Sequence, residues 1–173
     1  MNALNPVQKI GAQLSEVFNI HKNITDHQAW LNSIQMLDAV GIPSPENRVH
    51  EYPHQLSGGM RQRVVIAMAL ACQPKLIIAD EPTTALDVTV QAQILDLLKN
   101  LQKKSGSSIL LITHDLGVIA ETCDEVCVMY AGRIVEKGST RKIFAQPKHS
   151  YTQDLLDSIP RLDGTPKKKL RTI

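Results

Sequence analysis

Three short stretches of this 173-residue chain carry groups that could act together on an anion and a metal ion. The first is Leu56-Ser57-Gly58-Gly59-Met60-Arg61-Gln62-Arg63. Two glycines at the mouth of a predicted helix leave backbone N–H groups unobstructed, and the helix dipole adds positive potential at that spot. Ser57 can cap the helix or donate to an anion. Taken alone, an ordinary serine cap with glycines for a tight turn competes with that reading. The second stretch is Asp80-Glu81-Pro82, directly after the apolar run Leu76-Ile77-Ile78-Ala79. Two carboxylates at the C-terminal end of a buried parallel strand lie where α/β sheets bind ligands. Asp80 there suits Mg²⁺, which takes few carboxylates and keeps several waters. Glu81 beside it can polarise an attacking water. A capped strand end before a proline turn explains one acid better than two. The third is His114, followed by Asp115, at the end of another apolar run. An imidazole at that edge could hydrogen-bond a γ-phosphate, although a lone histidine is more often structural. Ala85-Leu86-Asp87 follows the acidic pair by a few residues.

The elements that must position these groups are legible in the periodicity. Asn5-Pro6 reads as a helix start, with Val7, Ile10, Leu14, Val17 and Phe18 at helical spacing. A second helix runs from Thr25-Asp26, with Trp30, Ile34 and Leu37 on one face, and stops near Gly41-Ile42-Pro43. Residues 43–53 read as a loop with a short helical turn, and a third helix runs from Ser57 to about Cys72. The pattern then changes. Residues 76–79 form a continuous apolar run of the kind found in strands buried on both faces, and residues 108–113 read as another buried strand. Between them residues 88–103 are helical, with Val90, Ile94, Leu97, Leu98 and Leu101 as the stripe and Gly106 as the stop. A short helix over 115–121 follows. Residues 125–130 and 133–137 read as strands joined at Ala131-Gly132, a hairpin signal. Two amphipathic helices are expected over 140–144 and 150–159. A helical first part followed by alternating strands and helices predicts an α/β fold with a largely parallel sheet flanked by helices.

Composition bounds the rest. The 43% apolar content suffices for a core, but only 3% is aromatic, so the core must be aliphatic. Lys+Arg 19 against Asp+Glu 17 is too balanced for a general nucleic-acid binder, which needs a concentrated basic face. The Lys167-Lys168-Lys169-Leu170-Arg171 tail reads as a solvated charge run. Cys72, Cys123 and Cys127 are too few and too scattered for a disulfide framework or zinc ribbon. Small buried thiols in a reducing compartment are expected, with Cys123 and Cys127 one turn apart only if that stretch is helical. No stretch approaches the roughly 20 apolar residues of a membrane span, and no secretory signal is visible. The expectation is a soluble, cytoplasmic chain that docks on a membrane partner.

Taken together, the motifs resemble those of the ABC transporter ATP-binding family. Leu56-Ser57-Gly58-Gly59-Met60-Arg61-Gln62-Arg63 is similar to its signature, with Met60 where glutamine is commoner. Ile77-Ile78-Ala79-Asp80-Glu81-Pro82 resembles a Walker B strand with its catalytic glutamate. Ala85-Leu86-Asp87 resembles the D-loop and Thr113-His114-Asp115 the switch-histidine loop. They stand in the family's order and spacing, which a single short motif could not establish. Flanking stretches resemble the oligopeptide/dipeptide importer branch: Met1 to Pro6, Tyr52-Pro53-His54-Gln55, Thr83 to Gln91, and His149-Ser150-Tyr151-Thr152. Nickel and other small-solute importers share that branch.

The resemblance implies a partial P-loop NTPase fold. Residues 1–72 would form the helical subdomain with the signature helix, 73–140 the RecA-like core, and 141–173 the C-terminal helices and basic tail. It implies ATP and Mg²⁺ as cofactors, with Asp80 on the metal and Glu81 and His114 catalytic. Ser57, Gly58, Gly59, Met60 and Asp87 would bind nucleotide. It implies a second ATPase subunit paired head to tail, integral membrane permease subunits against residues 1–49, a solute-binding protein acting indirectly, and a peripheral place on the cytoplasmic face of the membrane.

No Gly-x-x-x-x-Gly-Lys-Ser/Thr phosphate loop occurs in the sequence. The adenine-stacking aromatic and the Q-loop glutamine are missing as well, as is the branch's cysteine-rich C-terminal extension. The resemblance therefore has the chain begin just past the Q-loop. Such a chain would offer Ser57 and Gly59 to a complete partner's ATP without hydrolysing ATP alone. Its uncovered sheet would leave it poorly soluble or molten by itself. Two other functions compete: a truncated, non-hydrolysing remnant, and a soluble ATPase of the same family acting on DNA or ribosomes. The importer-like flanks and the balanced charge count against the latter.

Overall fold

Why the first helix starts where it does shows how side chains override a local start signal. Helix α1 (Ile10–His21) begins at Ile10, not at Asn5-Pro6. The buried Gln13 side chain accepts from the Asn5 N–H (2.8 Å) and donates to the carbonyls of Asn5 (3.1 Å) and Gln8 (2.9 Å). Asn5 Oδ1 meanwhile accepts from the Val7 N–H, an Asx turn. The backbone of residues 5–8 is thus satisfied outside a helix. The orphan N–H groups of α1 are met by another loop: Ile10 donates to Glu51 O and Gly11 to Val49 O, both at 2.8 Å. This close docking leaves no room for a side chain at Gly11, where a Cβ would run into Val49 and Trp30.

The computed structural model describes residues 3–84 and 86–158, and their contacts divide into two units between Ile112 and Thr113. In the first unit α1 packs on α2 (Asp26–Ala39), capped by Thr25 as its sequence predicts. The short helix α3 (Pro45–Arg48) and a 3-10 turn (Pro53–Gln55) lead to α4 (Gly58–Leu70). Strand β1 (Leu76–Asp80), helix α5 (Val88–Ser105) and strand β2 (Ser108–Ile112) form a βαβ unit with parallel pairing, Ile78 opposite Leu110 and Asp80 opposite Ile112. Gly106, at φ 69°, ends α5 in the left-handed conformation that glycine adopts without penalty. Ile10, Leu14, Leu37, Val40, Val49, Val64 and Ile94 are fully buried in one cluster that also takes in Ile77, so helices and strand share a core.

Both strands were expected to be buried on both faces, and they are not. Ile77 and Ala79 face the core, but Leu76 and Ile78 are 52% and 63% exposed. On β2, Leu110 and Ile112 lie on the same open side, 50% and 47% exposed. Among the described residues the helices cover only one face of the pair.

The second unit is built on an antiparallel hairpin of β3 (Glu125–Tyr130) and β4 (Arg133–Ser139), so among the described residues parallel pairing is confined to β1 and β2. Ala131 and Gly132 both have positive φ, 47° and 75°, as a two-residue type I′ turn requires. Val126 and Val128 point inward onto Ile143 of α7 (Thr140–Ala145), with Leu155 of α8 (Ser150–Asp157) and Ile119 of α6 (Leu116–Thr122) beside them. Cys127 faces outward on β3 and is exposed, against the expectation of a buried thiol; Cys72 and Cys123 are half-buried, and all three are free. Cys123 lies just beyond α6 and Cys127 on β3, so no helix stacks them. Ala85, Ile159 and the basic tail lie outside the described residues.

Candidate functional site

Ser57 caps α4: its Oγ accepts from the Met60 N–H at 3.3 Å, and its carbonyl accepts from the Arg61 N–H at 2.9 Å. The N–H groups of Gly58 and Gly59 fall in the first turn, where no intrahelical acceptor exists. The exposed Ser57 hydroxyl can still donate its proton. Arg61 reaches back to the carbonyls of Leu56 (2.8 Å) and Pro53 (3.4 Å), fixing the loop that enters the helix and placing a cation beside its positive end. The result is an exposed helix start with donors, a dipole and no carboxylate in its first turn. Such a start suits an anion.

Asp80 closes β1 and is exposed. Glu81 follows at φ 47°, a left-handed conformation that costs a non-glycine residue about 1–3 kcal/mol and persists only where the surroundings hold it. Its N–H donates to Ile112 O at 2.9 Å, extending the β1–β2 ladder, and its carboxylate accepts from the Thr84 hydroxyl at 2.6 Å. The strand end therefore turns sharply and fixes the direction of the Glu81 carboxylate. Among the described residues no group of three His, Cys, Asp or Glu side chains forms a metal cage. A solvent-facing Asp80 fits Mg²⁺, which is held by one or two carboxylates together with water and phosphate oxygens.

Asp87 is the cap of α5, accepting from the Val90 N–H through Oδ1 at 2.9 Å. Sequence reasoning gave it a nucleotide role; here one of its oxygens is engaged in the helix start. The structure brings the Ser57 to Met60 loop and Asp87 together through an intermediary. A Cβ on Gly59 would come within 2.7 Å of Val90 Cγ1, so α4 and the first turn of α5 touch at that point. Arg63 ties the same helices further on, donating to Val40 O at 2.7 Å and to the Gln93 side chain at 3.3 Å.

His114 is exposed and lies near the start of the second unit, two residues beyond the end of β2. Asp115 caps α6 through the Val118 N–H at 3.1 Å, and its own N–H donates to Thr113 Oγ1 at 3.1 Å. Sequence reasoning missed Glu136. The nearby Thr152 hydroxyl, then the hydrogen bonds from the N–H groups of Lys148 (2.8 Å) and His149 (3.0 Å), hold its carboxyl below the ordinary value of 4.5, and the charge of His149 adds to the effect. This ties β4 to the start of α8. No local pattern signals it, because the partners lie 12 and 13 residues away.

Residues 5–84 match the ABC transporter family, and residues 135–173 match the oligopeptide/dipeptide transporter C-terminal region. The chain is 57% identical over all its 173 residues to the oligopeptide transport ATP-binding protein OppD of Bacillus subtilis strain 168, covering 48% of that protein. It is 57% identical over 163 residues to the dipeptide transport ATP-binding protein DppD of the same strain, 94% of this chain and 49% of the relative. The chain thus spans about half the length of the curated relatives it matches. Among solved structures, a dimeric post-hydrolysis state of the ATP-binding cassette MJ0796 bound to ADP and Pi superposes with a TM-score of 0.67 and 28% identity, over 80% of this chain and 60% of that one.

Proposed function

We propose, from a chain whose residues 5–84 belong to the ABC transporter family and whose residues 135–173 belong to the oligopeptide/dipeptide transporter C-terminal region, that it is part of the ATPase of a peptide importer. The observation that carries this reading is the strand end at Asp80-Glu81. A carboxylate is held in place there by Thr84 and by the β1–β2 ladder, beside a second one open to solvent.

In the proposed mechanism the labour is divided between two nucleotide-facing surfaces. The start of α4 presents the Ser57 hydroxyl and the Gly58, Gly59 and Met60 backbone to the triphosphate held by a partner ATPase subunit in a head-to-tail pair. Those donors stabilise charge on the phosphate oxygens. On the other surface Asp80 would hold Mg²⁺, which when bound offsets phosphate charge. Glu81 orients the attacking water and takes up its proton. A hydrogen bond to the γ-phosphate is the role proposed for His114, which belongs to the second unit. Asp87 keeps the connection from β1 to α5 in register by capping α5. The cradle for the triphosphate comes from sequence other than these 173 residues. The helices around residues 1–49 would dock on integral membrane permease subunits at the cytoplasmic face, with a solute-binding protein acting from the other side. Peptides are the favoured solute because the relatives named for oligopeptide and dipeptide transport match across nearly all of this chain. Nickel or another small solute is the alternative within the same branch.

Glu81→Gln in the assembled transporter should abolish nearly all peptide-stimulated ATP turnover while nucleotide binding persists. Turnover equal to wild type would refute the assignment of Glu81.

A further inference from the structure

Gly59 does not owe its identity to backbone conformation. Among the described residues the positive-φ glycines are Gly41, Gly106 and Gly132; Gly59 sits in the first turn of α4, where any residue but proline is at ease. What excludes a side chain is space. A Cβ would lie 2.7 Å from Val90 Cγ1, with Val90 Cβ and Cγ2 both at 3.9 Å. Val90 cannot swing aside cheaply. It is β-branched and helical, so one χ1 rotamer dominates. Its own N–H is fixed by Asp87, and its side chain packs on the main core cluster. One methyl group of α5 therefore sets how closely the anion-facing loop of α4 approaches the helix that Asp87 caps.

We propose that Val90 is a positioning residue for the Ser57 to Met60 loop, and that residue 59 must be glycine because of this contact within one subunit. By this account the loop and the Asp87 connection move as one body, so a shift at one nucleotide-facing surface is passed to the other through this steric contact. The proposal rests on the nucleotide reading given above.

The test is a paired substitution in the assembled transporter. Gly59→Ala should lower kcat/KM for ATP by at least about tenfold, because the added methyl drives the loop off α5. Adding Val90→Ala removes the clashing methyl, leaves only the 3.9 Å contact to Cβ, and should bring kcat/KM back to within about threefold of Val90→Ala alone. Adding Val90→Thr, which keeps a branched side chain of the same shape, should not. If Gly59→Ala prevents assembly, the same pattern is read in the yield of assembled transporter: Val90→Ala restores it and Val90→Thr does not. A double variant Gly59→Ala/Val90→Ala as impaired as Gly59→Ala, or equal rescue by threonine, would overturn the proposal and move the constraint to the nucleotide side. Glu81→Gln, run in parallel, separates the two layers. Retained turnover there strikes the nucleotide reading itself, whereas a failed rescue beside an inactive Glu81→Gln strikes only the role of Val90.

Discussion

The helical cluster and the strand pair of the first unit solve the same burial problem to different extents. The helices enclose Leu14, Leu37, Val49 and Val64 completely. The strands bury Ile77 and Ala79 on one face and leave Leu76, Ile78, Leu110 and Ile112 in solvent on the other. Burying an aliphatic side chain stabilises by about 1.5–3 kcal/mol. The open face therefore forgoes what the helical side collects. An apolar patch of that kind marks a surface that another body covers. The acidic strand end lies at the C-terminal edge of this half-covered sheet, whereas the start of α4 rests on the complete core. The two surfaces proposed to face nucleotide thus differ in how much of their support these residues supply.

That contrast can be broken by matched truncations. Leu37→Ala should cost about 2–5 kcal/mol, read as faster amide exchange across α2, because it opens a cavity in a fully packed site. Ile78→Ala, a comparable loss of side chain on the open face, should change stability by no more than about 0.5 kcal/mol. Comparable losses for the two would mean that the open face is covered after all. Less costly is Ser57→Ala, which removes the α4 cap and should destabilise by about 1 kcal/mol, seen as faster amide exchange at Met60. Unchanged exchange there would remove Ser57 from the helix start.

The smallest expected effect asks whether the hairpin unit resembles the self-contained helices. The Glu136 carboxyl is held below 4.5 in the fold, so its contribution is fully present above that value. It is lost as pH falls through the depressed folded value. Glu136→Gln should flatten this acid dependence and speed exchange of the Lys148 and His149 amides. The same acid midpoint in both proteins would show that the β4 to α8 tie carries no weight.

What the sequence makes legible follows from how local each cause is. Thr25, Ser57, Asp87 and Asp115 cap their helices within three residues, and Ala131-Gly132 turns within two, so these elements read directly from the chain. The start of α1 does not, because Gln13 reaches back eight residues to satisfy Asn5. The strand faces were misjudged for a different reason: an unbroken apolar run says that a strand suits burial but not what covers each side. Among the candidate functional residues, the types at Ser57 to Met60, Asp80, Glu81 and His114 were plain from spacing. Thr84 holding Glu81, Val90 against Gly59, and Glu136 at α8 were not, since each depends on a turn or a packing contact. Val90 looked like any other member of the α5 stripe.

The division of the nucleotide site between two surfaces is tested most directly by where a nucleotide touches this chain. An ATP carrying a photoreactive group on its γ-phosphate, irradiated in the assembled transporter and mapped by mass spectrometry, should label the peptide containing Ser57 to Met60. Efficient labelling elsewhere in the transporter, with that peptide unmodified, would contradict the account.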